Sequence, residues 1–175
     1  MPDDEHLMAE VRRGSREAFE ALFERYRGPI WRFFRRRIAD AARAEELSQD
    51  AFVAVLQNAK RYEPRSAFRS YLFGIAWNIL LAERRKSSRA SAAIDPEELR
   101  GETADPDSGI WVRRALQALD PDDRELLVLR EYDQLSYQEI ADLHRMPLNT
   151  VRTRLFRARM ALRSALLPEE KGNQS

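Results

Sequence analysis

The sequence predicts an all-α protein made of two small helical domains joined by a flexible acidic linker, the second domain carrying a helix-turn-helix. Three observations predict it. Ala, Leu, Arg and Glu dominate, while only 6 glycines and 8 prolines occur in 175 residues and sit near segment ends, a composition that favours long amphipathic helices over sheet. Apolar residues recur at helical spacing in both halves, as in Leu47, Ala51 and Val55, and again in Val151, Leu155, Ala158 and Leu162. Between them the composition shifts sharply after Lys86 to a stretch rich in Ser, Ala, Asp and Glu with few apolar groups to bury. The boundaries expected are a first domain over 1–86, a linker over 87–109, a second domain over 110–167 and a tail over 168–175.

In the first domain, Ser15 is placed to cap a helix running through Tyr26, and Gly28-Pro29 is expected to break it before a second helix, Ile30 to Ile38. A third helix is expected from Arg43 to Lys60. Tyr62 to Ser66, with Pro64, reads as a loop before a long helix from Ala67 to Lys86. In the second domain, a helix over Ile110 to Leu119 is followed by Asp120-Pro121, a cap with proline at the first helical position, and the next helix ends near Asp133. Ser136 and Glu139 form a capping box that opens a short helix to Leu143, and the last helix follows Pro147 and runs to Leu167.

Several function classes are excluded. The chain has no cysteine, which removes disulfide frameworks and thiolate metal sites and fits a reducing cytoplasm. His6 and His144 stand far apart without a ligand partner, so no metal is expected, and no cofactor motif is present. The acidic start, Met1 to Glu5, is unlike a signal peptide, and the longest apolar stretch, Tyr71 to Ala82, is too short to cross a bilayer. A soluble, cytoplasmic protein without membrane insertion is expected. No nucleophile–base pair or phosphate loop points to an enzyme.

The formal net charge is only +1, but it is unevenly distributed. From Arg145 to Arg163 arginines accumulate with no acid among them, whereas Asp95 to Asp107 is strongly acidic. On the last helix, Val151, Leu155, Ala158 and Leu162 make a core face, with Asn149, Thr153 and Phe156 opposite and Arg152, Arg157 and Arg163 flanking. Arginine richness alone fits an ordinary solvated helix. The capping box, the turn and the two-faced helix together favour a DNA reader: arginine pairs with guanine, threonine meets a thymine methyl, and further arginines neutralise phosphates.

Leu135-Ser136-Tyr137-Gln138-Glu139-Ile140-Ala141, followed by Met146-Pro147-Leu148-Asn149-Thr150-Val151-Arg152-Thr153-Arg154-Leu155-Phe156-Arg157-Ala158-Arg159, resembles region 4 of extracytoplasmic-function sigma factors, which reads the −35 promoter element. The resemblance implies base and backbone contacts by Arg152, Thr153 and Arg157 and a phosphate contact by Arg154. Two positions depart from the family pattern. Arg145 stands where glycine is common, so the turn is expected to differ slightly, because positive φ is costly for arginine. Asn149 also replaces a usual glycine, and is expected to cap the helix or touch DNA, with capping ahead.

In the first domain, Glu45-Glu46-Leu47-Ser48-Gln49-Asp50-Ala51-Phe52 resembles sigma region 2.2, which docks on a basic coiled coil of core RNA polymerase. Glu46, Gln49 and Asp50, with Val53 and Gln57, share the outward stripe of that helix; alone they would read as an ordinary wet face. Arg65-Ser66-Ala67-Phe68-Arg69-Ser70-Tyr71-Leu72-Phe73-Gly74-Ile75-Ala76-Trp77-Asn78 resembles regions 2.3 and 2.4, which face the −10 element. The resemblance implies capture of an unstacked base by the preceding loop and Asn78, with Tyr62 offering a stacking ring and Arg65 attracting phosphate. Phe68, Leu72, Ile75 and Ile79 are expected to form the core stripe, and Phe68, Phe73 and Trp77 read as core rather than melting residues.

These resemblances cover residues 8 to 167 and imply a sigma factor with core polymerase, promoter DNA and an anti-sigma factor as partners. For the linker, entry into the polymerase RNA channel and a plain solvated tether stand level. The alternative for the whole chain is a two-domain helix-turn-helix repressor or activator, which would bind duplex sites without polymerase.

Overall fold

The computed structural model describes residues 1–87 and 106–167. It separates into two compact units, one holding the helices up to residue 86 and the other those from residue 106. Among the described residues every regular element is helical.

The first unit contains α1 (Asp4–Arg12), α2 (Arg16–Arg35), α3 (Ala41–Gln57), a 3₁₀ turn (Ala59–Arg61) and α4 (Phe68–Lys86). Helix α1 was not expected from the sequence. Asp3 caps it by accepting from the His6 N–H at 2.8 Å, and it buries Leu7, Met8 and Val11. Ser15 caps α2 as expected. The break expected at Gly28-Pro29 does not occur, and α2 runs on to Arg35 with Pro29 inside it. An internal proline costs about 3 kcal/mol, but Tyr26, Ile30, Phe33 and Phe34 around it are all buried, each side chain contributing roughly 1.5–3 kcal/mol. Packing therefore outweighs the local penalty.

Helix α3 is capped by Asp40 and buries Leu47, Ala51 and Val55 as its sequence predicts. In α4 the stripe is displaced: Phe68 and Leu72 are buried, but Ile75 and Ile79 are only half-buried, and Phe73, Ala76, Trp77 and Leu80 complete the core. Helices α1, α2 and α3 all pack against α4. Its buried arc is thus wider than a single stripe and follows the i, i+4 row through residues 68, 72, 76 and 80.

The second unit contains α5 (Pro106–Gln117), α6 (Pro121–Glu131), α7 (Tyr137–His144) and α8 (Leu148–Leu166). Helix α5 starts inside the segment read as linker, whose residues 88–105 lie outside the described residues, as does the tail 168–175. The Asp120 cap with Pro121 at the first position is present. Arg124 closes the α5–α6 corner, donating to the carbonyls of Leu116, Gln117 and Leu119 at 2.8–3.2 Å. Carbonyls left over at a helix C-terminus thereby find donors. Leu126, Leu129, Leu135, Ile140, Val151 and Leu155 form the core. No described helix is long and apolar enough to cross a membrane.

Candidate nucleic-acid interface

The predicted capping box is complete: Ser136 Oγ accepts from the Glu139 N–H at 3.1 Å, and Glu139 Oε1 accepts from the Ser136 N–H at 3.1 Å. Helix α7 ends at Arg145, which adopts φ 51° and ψ 45°. The expectation of an altered turn is corrected here, since arginine takes up the left-handed geometry itself. Its N–H donates to the carbonyls of Ala141 and Asp142, so closure of the helix end offsets the steric cost.

Helix α8 then presents two faces. Val151, Leu155 and Ala158 are buried, while Asn149, Arg152, Thr153, Phe156 and Arg157 are exposed. Asn149 does not cap the helix, because Pro147 holds that position and Asn149 lies within the first turn. Its Oδ1 instead accepts from Arg152 Nη1 at 3.3 Å, and its carbonyl accepts from Thr153 Oγ1 at 2.9 Å. Asn149, Arg152 and Thr153 are thus one linked polar patch on the exposed face.

Arg154 stands apart from that patch. Its Nε and Nη2 donate to Asp123 Oδ1 on α6 at 3.0 and 2.8 Å, with both side chains largely covered. It holds an internal carboxylate, a partner that the implied phosphate contact did not include. Arg159 likewise ties α8 inward, donating to the Tyr137 hydroxyl at 2.8 Å and to Glu131 at 2.7 Å. Those two bonds raise the pKa of its guanidinium further. Neither the Asp123 nor the Glu131–Tyr137 partnership is visible in sequence, since their partners lie 22 to 31 residues away.

In the first unit, Asn58, Arg61, Tyr62, Glu63, Arg65, Ser66, Tyr71 and Ile75 line an open hollow of about 570 Å³, within the size range of ligand sites. Arg65 is exposed at its rim and pairs with Glu63 at 2.6 Å. Tyr62 is only 5% exposed, its ring 4.9 Å from that of Tyr71 and 6.4 Å from that of Phe68. The expected open stacking ring is therefore corrected: packing against two aromatic rings makes Tyr62 a wall of the hollow. Burial, and then the carboxylate of Glu5, the Tyr71 hydroxyl and Asp4, push the Tyr62 hydroxyl pKa up. Asn78 is exposed on α4 but lies about two turns beyond Tyr71 and outside the hollow's lining. Ser66 and Tyr71 were missed as site residues, because only the fold brings them to the hollow. Phe68, Phe73 and Trp77 are core.

On α3, Glu46, Gln49, Asp50, Val53 and Gln57 are all exposed along one side. Glu46 shares Arg43 with Glu83, at 2.7 Å from each. Gln49 also borders a groove of about 280 Å³ between α2 and α3, lined in part by Phe23, Trp31, Glu45 and Phe52.

One unit carries a helix-turn-helix with a two-faced basic helix and the other an acidic helix face, the features that the resemblance to sigma factors implies. In agreement, the model of Sigma-70 region 2 matches residues 22–90 and that of Sigma-70, region 4 matches residues 110–162. The chain is 32% identical over 182 residues to RNA polymerase sigma-H factor of Pseudomonas aeruginosa, with 94% of each chain covered. It is 31% identical over 182 residues to the ECF RNA polymerase sigma-E factor of Escherichia coli K12, covering 94% of this chain and 95% of that one. Among solved structures it resembles CnrH in complex with the cytosolic domain of CnrY, with TM-score 0.67, 26% identity, and 91% and 94% of the two chains covered. The chain belongs to the extracytoplasmic-function family of RNA polymerase sigma factors.

Proposed function

We propose that this sigma factor divides promoter recognition between its domains, 1–86 and 110–167, with 87–109 as tether and 168–175 as tail. The second reads the −35 duplex through Asn149, Arg152, Thr153 and Arg157 in the major groove. Arg152 and Asn149 act together, since their hydrogen bond aligns the guanidinium along the exposed face. Arg154 fixes the helix instead of touching phosphate.

The first domain docks on core polymerase through Glu46, Gln49 and Asp50, acidic and amide groups suited to a basic partner surface. A base of the opened −10 strand enters the hollow walled by Tyr62, with Arg65 drawing the backbone phosphate and Asn78 meeting the strand farther along α4. The protein acts in the cytoplasm as an initiation factor without catalytic chemistry of its own. Its activity is held by an anti-sigma factor, a reading supported by the related CnrH, solved with the cytosolic domain of CnrY.

The two-faced α8 carries this reading. Its buried Val151, Leu155 and Ala158 anchor the helix and leave the opposite polar face exposed. Run-off transcription with purified protein and core polymerase tests it. Specific initiation is expected only when both are present. Tight duplex binding by the free protein, with no effect on polymerase, would instead establish a repressor or activator.

A further inference from the structure

The region 2 match begins at residue 22, so α1 lies outside it, yet α1 packs against α2, the 3₁₀ turn and α4. These last two elements flank the hollow. We infer that α1 is a brace for the strand-capture hollow, acting through Asp4 and Tyr26 as positioning residues. The inference rests on the reading of that hollow as the site of the opened −10 strand.

The connection is continuous. Asp4 accepts hydrogen bonds from the Tyr26 hydroxyl and from Arg25, while Arg25 also donates to the Pro2 carbonyl at 3.3 Å. The Asp4 and Arg25 side chains are 21% and 34% exposed, so water competes only partly for these bonds. Tyr26 is buried, and its ring meets Phe68 edge-on at 5.6 Å. Phe68, 1% exposed, in turn lies 6.4 Å from Tyr62 and 6.2 Å from Tyr71, both of which line the hollow.

A buried phenol bonded to a carboxylate holds one ring orientation, because any rotation out of line loses a charge-assisted hydrogen bond. The edge-to-face contacts of Phe68 with Tyr26 and Tyr62 pass that orientation on, since each ring's edge is fitted to its neighbour's face. Helix α1 also carries negative charge toward the hollow's wall, since after burial the Glu5 carboxylate, and more weakly Asp4, push the Tyr62 hydroxyl pKa up. Asp4 is therefore connected to the wall through the ring series of Tyr26, Phe68 and Tyr62.

The test uses full-length protein in holoenzyme with core polymerase. Affinity is measured for single-stranded oligonucleotides spanning the −10 element of a promoter that the holoenzyme transcribes, with each position substituted in turn. Asp4→Ala and Tyr26→Phe each remove the bond, whereas Asp4→Asn retains an oxygen to accept it. The first two are expected to weaken binding about three- to tenfold and to flatten discrimination at one position, with Asp4→Asn intermediate. That variant keeps an accepting oxygen but loses the charge that strengthens the bond and pairs with Arg25. The combined Asp4→Ala/Tyr26→Phe variant should be no worse than Asp4→Ala alone, because that substitution already removes the Tyr26 bond.

Wild-type affinity and discrimination in Asp4→Ala and Tyr26→Phe would overturn the brace. So would a reduced active fraction with discrimination intact, which marks α1 as merely stabilising. Arg65→Ala/Asn78→Ala serves as the reference. If that variant impairs strand binding and the α1 variants do not, only the brace fails. If it leaves strand binding unchanged, the capture reading of the hollow fails, and the brace with it.

Discussion

Arg154 on α8 and Asp123 on α6 join the recognition helix to the body of its domain, with two guanidinium nitrogens at 3.0 and 2.8 Å from one carboxylate oxygen. Both side chains are 23% exposed, so the pair is partly shielded and worth about 1 kcal/mol rather than the little expected of a surface pair. Arg154→Ala and Asp123→Ala should each lower the domain's unfolding free energy by about that much, and a double-mutant cycle in urea should show coupling. The salt dependence of promoter binding separates the two roles. It should be unchanged in Arg154→Ala, whereas Arg157→Ala should reduce the log–log slope by about 1. A reduced slope for Arg154→Ala would restore the phosphate role.

Arg152 is exposed and its guanidinium is held toward Asn149. Arg152→Ala should cost about 1–3 kcal/mol at one base pair of the −35 element and relax preference there only. Asn149→Ala should give a smaller loss at the same base pair, since it removes the group that orients Arg152. Binding of holoenzyme to a panel of singly substituted −35 duplexes measures both. Uniform losses across the panel would mean that Arg152 contacts the backbone.

Much of the second domain was legible because its signals are local. Ser136 and Glu139 are three residues apart, Asp120 adjoins Pro121, and the 3.6-residue period places Val151, Leu155 and Ala158 on one side. The largest failures arise where distant packing decides. Pro29 breaks a helix by local rules, but buried Tyr26, Ile30, Phe33 and Phe34 carry α2 through it. Helix α1 shows only Leu7, Met8 and Val11 as a short apolar face, and its place depends on the elements it meets. Arg154 and Tyr62 carry the chemistry of DNA contacts in sequence. Only the fold supplies Asp123 to one and encloses the other between Phe68 and Tyr71.

Arg145 occupies the left-handed region at φ 51°, where a side chain costs about 1–2 kcal/mol. Glycine removes that cost but adds chain entropy to the unfolded state, which returns roughly half of the gain. Arg145→Gly should therefore stabilise the second domain by about 0.5–1 kcal/mol, visible as a higher urea midpoint with an unchanged slope. Arg145→Ala should not stabilise, because alanine keeps the Cβ. A gain of equal size in both variants would trace the effect to charge and not to backbone strain.

Glu83 on α4 receives two hydrogen bonds from Arg43 on α3, at 2.8 and 2.7 Å. These bonds hold its carboxyl below the ordinary value of 4.5, and burial opposes them only in part. A carboxyl whose folded pKa is depressed binds its proton more weakly folded than unfolded. Its contribution is therefore complete above the unfolded pKa of 4.5 and declines as pH falls through that value toward the lower folded one. Glu83→Gln should lower the stability of the first domain at neutral pH by about 1 kcal/mol, given that the pair is partly exposed. Below pH 4.5 the difference between variant and parent should shrink steadily, as the parent loses the same charge by protonation. Urea unfolding followed by circular dichroism across this range checks it. A difference that stays constant as the pH falls would assign the loss to packing of the side chain and not to its charge.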